Sequence, residues 1–366
     1  MASMTGVLLR VSIFGQSHSG GIGVVLDGLP AGLHVDEERL QAFLDRRAPG
    51  RNAQSTQRKE ADRPRFLSGL VNGYTCGAPI SAVIENADTR SKDYEALRDC
   101  PRPSHADYAA FVKYGRHHDI RGGGHFSGRL TAPLCIAGGI CLQLLEQRNI
   151  RIAAHVRRIA AEEDRPFDPL GEQEETLAAL GGLELPTLDL AAGERMRQAI
   201  LQARSQGDSL GGVVEAICQG VPAGLGQPMF GGVENRLAQL LFAIPAVKAV
   251  EFGEGLGFAS LRGSQANDPF AMAQDGSVRT KTNRCGGILG GISSGMPILC
   301  RCAFKPTPSI AQEQQSVSLE KGCDQPLVIH GRHDPCIVPR AVPCVEAALA
   351  IGLTDLLLER AAEKGL

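Results

Sequence analysis

The chain has 366 residues, of which 43% are hydrophobic, and its formal net charge is -2 at pH 7. A chain of this length and composition can bury a large core, as one large domain or as two closely packed halves. The near-neutral charge provides no general attraction to nucleic acid or anionic lipid, although local basic segments can still recognise a small anion. We therefore expect no nucleic-acid partner and no membrane partner.

The eleven cysteines form no CxxC pair, and the N-terminal residues lack the long apolar run of a secretory leader. This pattern is typical of reduced thiols in the cytoplasm and predicts neither a disulfide framework nor a metal site. No stretch reaches the roughly eighteen uninterrupted apolar residues of a membrane-spanning helix. The sequence thus predicts a cytoplasmic protein without a membrane anchor.

Three helices are predicted in chain order. Asp36 can cap a helix that runs to Arg47, and Pro49 with Gly50 stops it. The segment 130–145 is apolar nearly all round, which favours a helix buried between layers. A third helix is predicted from residue 340 to residue 366. The second and third helices each follow a loop, so their N-termini would direct backbone NH groups towards bound anions.

One strand-and-turn pattern occurs twice, as GVVLDGLPAGL at 23–33 and as GVVEAICQGVPAGL at 212–225. Both copies predict a short β-branched strand that ends in a G-x-P-A-G-L turn. Their offset of roughly 190 residues exceeds the period of any solenoid repeat. The pattern favours a duplicated α+β unit, and chance recurrence of strand and turn chemistry is the alternative.

Three histidine-bearing turns lie far apart in the chain: GQSHSGG with His18, RPSHAD with His105, and GRHDPC with His333 and Asp334. Turns of this kind often carry catalytic groups, so we predict one site assembled from all three, although a lone histidine more often has a structural role. An imidazole can donate a proton near neutral pH. His18 and His105 are therefore predicted as general acids, with Asp334, held extended by Pro335, as the partner base.

Many cationic side chains fall in or beside these turns. A guanidinium group binds a carboxylate or a phosphate through two parallel hydrogen bonds, so the set predicts a substrate with several anionic groups. The alternative for any single one is a solvated surface arginine. The set comprises Arg46, Arg47, Arg51, Arg58, Lys59, Arg102, Arg121, Arg129, Arg332 and Arg340.

Two glycine-rich segments can approach a phosphate or a flat cofactor closely, namely RGGGHFSGR at 121–129 and CGGILGGISSG at 285–295. The second precedes a turn containing Lys305, which can hold a phosphate. Neither a GxxxxGK[ST] loop nor a GxGxxG loop that opens a helix is present, so a dinucleotide-binding Rossmann unit is not predicted. Ser17 and Ser127 can orient bound groups, but their order in the chain indicates no Ser-His-Asp triad.

Taken together, nine ordered segments between residue 14 and about residue 347 resemble the motifs of the chorismate synthase family. They are FGQSHSGG, RRAPGR with TQRKEAD, NADTRSKDY, RPSHADY, RGGGHFSGRLTA, EFGEG with GSQANDPF, GGILGGISSG, AFKPTPSI and GRHDPCIVPRAVPCVEA. The resemblance implies an α+β fold with helices sandwiched between antiparallel sheets and an internal pseudo-two-fold. It also implies one domain over residues 1–366 and a homotetramer.

The activity implied by the resemblance is that of a carbon-oxygen lyase. It converts 5-enolpyruvylshikimate 3-phosphate to chorismate and phosphate by a 1,4-anti elimination. The family requires reduced FMN although the reaction has no net redox change, so the flavin acts as a transient electron donor. NADPH would be an indirect reductant, and Arg47 would be its contact.

Site roles also follow from the resemblance. His105 would protonate the leaving phosphate, His18 would protonate the reduced flavin, and Asp334 would help to remove the ring proton through the flavin. The residues that would hold the substrate are Ser17, Arg47, Arg102, Ser127, Arg129 and Arg332. The residues that would hold FMN are His125, Phe126, Ser127, Pro245, Ala246, Gly290, Lys305, Pro306, Thr307, Pro308, Ser309 and Arg332.

Four places depart from the commoner family pattern: Gln16 replaces Glu, Ser104 replaces Gly, His125-Phe126 replaces Arg-Ser, and Ala53 stands where Arg is frequent. Phe126 can stack on a ring, whereas His125 replaces the missing charge only when it is protonated.

Two other classes of protein stay open. A flavin-dependent oxidoreductase or flavin reductase would consume reduced nicotinamide steadily. A silent flavin- or anion-binding protein would bind FMN without turnover.

Overall fold

The computed structural model describes residues 3–48, 62–86, 96–329 and 334–363. The helices are α1 Glu37–Arg47, α2 Asp107–Tyr114, α3 Thr131–Glu146, α4 Glu174–Leu180, α5 Leu190–Ser205, α6 Val233–Phe242, α7 Gly263–Ala266 and α8 Val338–Glu363. The strands are β1 Met4–Thr5, β2 Arg10–Gly15, β3 Gly21–Asp27, β4 Arg65–Ser68, β5 Leu70–Val71, β6 Tyr74–Thr75, β7 Ile80–Glu85, β8 Arg151–Ile159, β9 Glu162–Glu163, β10 Gly212–Gln219, β11 Val247–Phe252, β12 Phe270–Met272, β13 Val278–Thr280, β14 Ile288–Leu289, β15 Ile292–Ser293, β16 Ile298–Phe304, β17 Gln314–Ser318 and β18 Cys323–Leu327.

Two five-stranded sheets form the outer layers around a layer of helices. The first sheet has the strand order β1-β2-β3-β7-β4, and the second has the order β11-β16-β10-β8-β9. Every pairing within them is antiparallel. Helix α3 packs on β3 and β7 of the first sheet and on β8 of the second, while α8 packs on α3, β8 and β10. The prediction of an α+β fold with antiparallel sheets is confirmed.

Helices α3 and α8 are largely apolar because each is covered on nearly every side. Both have the length and composition of a membrane span, yet 89% of the most apolar stretch of each is buried inside the protein. The two backbones approach closely, since a Cβ atom on Gly138 would lie 2.3 Å from the Cα atom of Ala347. The prediction of a buried helix at 130–145 is therefore confirmed, and α8 is a second helix of the same kind.

Helix α1 begins where the sequence predicts. The side chain of Asp36 accepts a hydrogen bond from the backbone NH of Arg39 at 2.9 Å, and the helix ends at Arg47. Near its end, Arg46 donates to both carboxylate oxygens of Glu346 on α8, at 2.6 and 2.9 Å. Because Glu346 is buried, this paired charge fixes α1 against α8 without leaving an uncompensated carboxylate.

The repeated strand-and-turn pattern adopts one conformation in both places. Gly28 and Gly220 have φ of +99° and +77°, and Gly32 and Gly224 have φ of +87° and +90°. A Cβ atom on Gly28 would lie 1.9 Å from a backbone oxygen, and one on Gly220 would lie 2.1 Å from another. Glycine is therefore required at the start of both turns. The match supports a local repeat, while duplication of a whole unit stays a prediction.

The outer face of the second sheet carries a buried histidine between two acids. Nδ1 of His155 lies 2.9 Å from Asp164, and Nε2 lies 3.1 Å from Glu215. Burial opposes the charged imidazole, but the hydrogen bonds and charges of the two acids outweigh burial and raise the pKa of His155. Burial likewise opposes ionisation of Asp164, yet the hydrogen bonds from His155 and from backbone NH groups lower its pKa.

We expect His155→Gln to lower the free energy of unfolding in a pH-dependent way. A raised folded-state pKa stabilises fully below the unfolded value of about 6.5, and this stabilisation is lost as the pH rises through the folded pKa. The lowered pKa of Asp164 stabilises above about pH 4 and is lost in acid. The difference from wild type in urea unfolding should therefore be largest between about pH 5 and 6.5 and smaller at about pH 9. His117→Gln, at an exposed histidine, is the control; a difference that does not change with pH would contradict a charged His155.

Candidate active site

A run of three glycines brings two of the histidine-bearing turns together. Gly122, Gly123 and Gly124 have φ of +60°, +83° and +55°, which is the left-handed region. A Cβ atom on Gly122 would lie 2.3 Å from Nδ1 of His18, and one on Gly123 would lie 3.3 Å from the ring of His105. The glycines therefore form a surface without side chains against which both imidazoles pack.

His18 is only 8% exposed and lies in a tightly bonded turn. Its Nδ1 atom is 3.2 Å from the hydroxyl of Ser17, and the backbone NH of Ser17 donates to the carbonyl of Gly124 at 3.1 Å. The same backbone contact fixes the turn to the glycine run. Ser17 thus orients His18.

His105 is held by a buried carboxylate. Its Nδ1 atom lies 2.6 Å from Oδ1 of Asp107, and Arg102 donates to both oxygens of the same carboxylate at 2.7 and 2.8 Å. Burial opposes ionisation of Asp107, but the hydrogen bonds from Arg102 and His105 lower its pKa far below the usual range. The carboxylate is therefore charged, and it fixes the imidazole with Nε2 towards Gly123.

The turn after β16 lies directly beside His105. Nζ of Lys305 donates to the carbonyl of Ser104, and the backbone NH of Lys305 donates to the carbonyl of Ala246 at 3.0 Å. Ser104 has φ of +58°, which explains why glycine is the commoner residue at this place in the family pattern. Burial, together with the charge of Lys248, lowers the pKa of Lys305. Pro245 directly precedes Ala246, so this pair belongs to the same region.

The rest of that turn lies near the segment that carries Asp334 and Pro335. The hydroxyl of Ser209 donates to the carbonyl of Thr307 at 2.7 Å, and the next residue, Leu210, donates its NH to the carbonyl of Pro335 at 2.8 Å. Ser309 is buried, with its hydroxyl 3.5 Å from Nη1 of Arg102. Among the described residues, the hydroxyl oxygen of Thr307 is buried and has no hydrogen-bond partner.

Two of the predicted substrate arginines share one carboxylate that the sequence reasoning missed. Arg47 and Arg129 are both buried, and each donates to a different oxygen of Asp62. Burial opposes ionisation of Asp62, but the two guanidinium charges lower its pKa. Arg47 also donates to Thr131 at 3.1 Å, and Ser127 accepts the backbone NH of Arg129 at 3.3 Å. Asp62 is the last residue of the motif TQRKEAD, and that position was the available signal.

Asp334 is joined to this arginine pair through a third arginine, Arg340. Nη1 of Arg340 donates to Asp334, and Nε of Arg340 donates to the backbone carbonyl of Arg47 at 2.9 Å. The predicted base therefore lies beside the start of α8. Six residues named in the sequence analysis lie outside the described residues. They are the cations Arg51, Arg58, Lys59 and Arg332, together with Ala53 and His333.

The N-termini of α3 and α8 meet at this site. Sγ of Cys135 lies 3.9 Å from Sγ of Cys344, and Gly138 contacts Ala347, so the helices run parallel with one constant offset of 209 residues. The positive ends of both helix dipoles therefore face the region of the arginine pair. Such an arrangement favours anions, as the sequence predicts for these two helix ends.

His125 and Phe126 have different surroundings. Both ring nitrogens of His125 are engaged within the chain, Nδ1 with the carbonyl of Gly15 at 2.8 Å and Nε2 with the hydroxyl of Ser3 at 2.7 Å. The structure thus places this side chain as a link between the glycine-rich loop and the N-terminal segment. Phe126 is 39% exposed, and its ring centroid lies 6.4 Å from that of Tyr114. Its face is available to a flat ligand.

Gly290 lies far from the other predicted residues of the same chain. It belongs to the turn between β14 and β15, where Ser293 accepts the NH of Gly224 at 2.8 Å, and Gly224 lies against Arg360. Arg360 is 20 residues after Arg340 on α8, so the two ends are about 30 Å apart. Among the described residues, the contacts bring most of the predicted site residues together and leave Gly290 at the opposite end.

These features define a class of protein. An imidazole oriented by a charged carboxylate, buried guanidinium groups, a partly buried lysine and two helix N-termini form a site for proton transfer to a small, multiply anionic substrate. Within the described ranges, no group of three or more His, Cys, Asp or Glu side chains could hold a metal ion.

Comparison with known proteins identifies the family. The chorismate synthase family model matches residues 9–358. A chorismate synthase of Thermococcus gammatolerans is 48% identical over 362 residues, covering 99% of both chains, and one of Lancefieldella parvula is 47% identical over 368 residues, covering 98% of this chain and 96% of the relative. A crystal structure of a chorismate synthase superposes with a TM-score of 0.75 at 30% identity, covering 97% of this chain and 93% of the other.

The chain belongs to the chorismate synthase family. The resemblance drawn from the nine sequence segments is confirmed. So is the predicted enzyme class, a phosphate lyase that converts 5-enolpyruvylshikimate 3-phosphate to chorismate.

The contact between the glycine run and His18 yields a direct test. We expect Gly122→Ala to lower the rate of chorismate formation by about tenfold or more, because a Cβ atom would displace His18 from its place in the site. The control is Gly115→Ala, at a glycine with φ of +62° and nothing within 4 Å of an added Cβ atom. Both substitutions place a side chain at a positive φ, so unfolding measurements on both variants separate a loss of stability from the loss of activity. Equal activity of the two variants would contradict a role for the contact.

Proposed function

We propose that the elimination takes place between the glycine run, the Lys305–Ser309 turn and Asp334, with His105 as the acid for the leaving phosphate. The observation that supports this most directly is the geometry of His105. Its Nδ1 atom is bound to the charged Asp107, so the opposite nitrogen faces the space beside Gly123. A proton on that nitrogen would be directed into the site.

Departure of phosphate develops negative charge that must be stabilised and protonated. Arg102 and Lys305 are the cations beside His105, and both are partly or wholly buried, where a charge interacts more strongly than in water. His105 donates the proton to the phosphate oxygen, and the two cations stabilise the product. Asp107 holds the imidazole in place throughout and does not leave its two partners.

The two substrate carboxylates suit the arginine pair. Arg47 and Arg129 are buried and already bind one carboxylate, that of Asp62, and guanidinium groups are suited to carboxylates. Together with the N-termini of α3 and α8 they form an anion site, to which the resemblance adds Arg332, a residue outside the described ranges. Arg47 is buried and paired with Asp62, which favours a substrate role over an NADPH contact. Asp334 is the partner base on the other side.

The family implies a requirement for reduced FMN, and the described residues fit it. The buried hydroxyl of Thr307 has no hydrogen-bond partner, so the turn at 305–309 has an open polar position beside a lysine. Ala246 contacts that turn through the backbone NH of Lys305, and Pro245, Ser127 and the exposed face of Phe126 would hold the cofactor with it. When bound, reduced FMN supplies a transient electron that returns within each turnover. His18 holds a proton at the glycine run, and NADPH is an indirect reductant.

The decisive assay is anaerobic, with photoreduced FMN and 5-enolpyruvylshikimate 3-phosphate, and it follows phosphate and chorismate together. We expect equal amounts of both products and no net oxidation of the flavin. His105→Ala should lower turnover by about a hundredfold or more while FMN binding stays nearly intact. Steady consumption of reduced nicotinamide without chorismate would indicate a flavin reductase, and FMN binding without turnover in the wild type would indicate a silent protein.

The assembly that we propose is a cytoplasmic homotetramer of single-domain chains covering residues 1–366. One core cluster spans both sheets and the helix layer, which supports a single domain. Large apolar side chains are exposed in two places. Phe230, near the turn that carries Gly290, is 86% exposed, and Met272, on the β12–β13 hairpin, is 70% exposed. A soluble protein rarely leaves such residues uncovered in a patch, so subunit contacts are their natural use.

Gly290 fits this assembly. Because it lies about 30 Å from the other predicted cofactor residues of its own chain, we propose that it serves the site of a partner subunit. The turn is exposed, and an added Cβ atom on Gly290 would meet nothing within 4 Å of the same chain. A backbone without side chain at an exposed turn is suited to close approach by a neighbouring molecule.

Mixing two inactive variants tests this arrangement. We expect Gly290→Trp to fold normally and to lose activity, while Gly322→Trp, at a hairpin glycine with equally open surroundings, stays active. After His105→Ala and Gly290→Trp chains are mixed at equal ratio and reassembled, about one quarter of the sites would combine both intact residues and activity would return. If Gly290 served its own chain, the mixture would stay inactive.

A further inference from the structure

A cavity on the outer face of the second sheet takes no part in the proposed reaction. Its volume is about 420 Å³, which is within the usual range for small-molecule sites. It opens between the segment 166–170, the strands β10 and β16, and the loops at 253–254 and 281–284. The cavity is separate from the catalytic residues, because Arg301 in its wall is four residues, or about 13 Å along β16, from Lys305.

The floor of the cavity carries a carboxylate and a guanidinium group that form an ion pair but no hydrogen bond. Oε1 of Glu215 lies 3.9 Å from Nη1 of Arg301, which is too long for a hydrogen bond. The other oxygen of Glu215 is occupied by His155 at 3.1 Å and by the backbone NH of Phe167 at 2.8 Å. Glu215 is only 4% exposed, so it is a buried carboxylate with one oxygen turned to the cavity.

Arg301 is likewise held by hydrogen bonds within the protein. Its Nε atom donates to Glu251 at 3.3 Å and its Nη2 atom donates to the carbonyl of Gly253 at 2.6 Å. Within the described ranges, these contacts leave Nη1 with the long approach to Glu215 as its nearest carboxylate. The guanidinium group is held rigidly, and one of its edges faces the cavity beside the Glu215 oxygen.

The walls are apolar and the rim is charged. Phe167, Leu170 and Leu299 line the walls with two prolines, Pro166 and Pro169. At the rim, Arg284 is paired with Glu254 at 3.3 Å, and Lys281 is exposed. A ligand that fits must therefore present a donor and an acceptor close together at the floor and an apolar group to the walls.

We propose that this cavity binds a free α-amino acid with an apolar side chain. The ammonium and carboxylate groups of such a molecule are attached to one carbon atom, so they can meet Glu215 and Arg301 at the same time. The ammonium donates to Oε1 of Glu215, the carboxylate accepts from Nη1 of Arg301, and Lys281 adds a charge from the rim. The apolar side chain packs on Phe167 and Leu170.

Calorimetry on the full-length protein with defined probes tests the head-group chemistry. We expect L-phenylalanine or L-leucine to bind with a Kd below about 1 mM. Two analogues, 3-phenylpropionate and 2-phenylethylamine, each lack one charged group and should bind at least about tenfold more weakly, because one buried partner is then left unpaired. Equal binding of either analogue would overturn the proposal, as would the absence of saturation by all apolar amino acids up to about 10 mM.

Two variants place the binding in this cavity. Leu170→Trp fills the space from a position that is 46% exposed, so the fold should tolerate it, and binding should fall about tenfold or more. Leu190→Trp, at a residue that is 70% exposed and outside the cavity, is the matched control and should bind as wild type does. Arg301→Gln should weaken the binding of L-phenylalanine and hardly change the binding of 2-phenylethylamine. If Leu170→Trp bound as tightly as the control, the site would lie elsewhere and the proposal would fail.

Discussion

The structure depends on two parallel helices that must share one narrow layer between two sheets. Gly138 and Ala347 allow the backbones of α3 and α8 to approach closely, and large aliphatic side chains fill the remaining space. Each such side chain contributes roughly 1.5–3 kcal/mol when it is buried, which is why both helices are largely apolar. Parallel packing brings two positive helix ends to the same place, and the proposed active site lies there.

Concentrating cations at that place requires compensation. Asp62 lies between Arg47 and Arg129, Asp107 lies between Arg102 and His105, and each carboxylate keeps a lowered pKa despite its burial. An unpaired guanidinium group in the interior would cost several kcal/mol, so these acids stabilise the site in the absence of substrate. They also fix the direction of each guanidinium and imidazole group. The site is therefore preorganised for anions before any ligand arrives.

The second sheet carries a separate polar cluster on its other face. His155, Asp164 and Glu215 satisfy one another beneath the cover formed by residues 164–190, and one oxygen of Glu215 is directed to the neighbouring cavity. The strand β16 borders both regions, since it contributes Arg301 to the cavity and leads into Lys305. One element thus supports chemistry at the helix ends and a distinct binding space behind the sheet.

The sequence by itself determined the family, the enzyme class, the positions of α1, α3 and α8, and the turns that carry His18 and His105. These follow from local patterns: a cap at Asp36, an apolar run, and glycines whose backbone conformation excludes other residues. The tertiary structure alone decided the pairings. Asp62 is far in sequence from Arg129, so no local pattern could reveal that Asp62 compensates both arginines.

The same reason explains the positions that sequence motifs could not place. His125 and Gly290 both lie in glycine-rich segments, yet His125 is bonded to Ser3 and Gly15, and Gly290 lies a helix length away from the other predicted residues. A glycine-rich motif predicts only the local turn, because the backbone conformation of a glycine is a local property. Distance across the molecule depends on the direction and length of α8, and only the packed fold determines these.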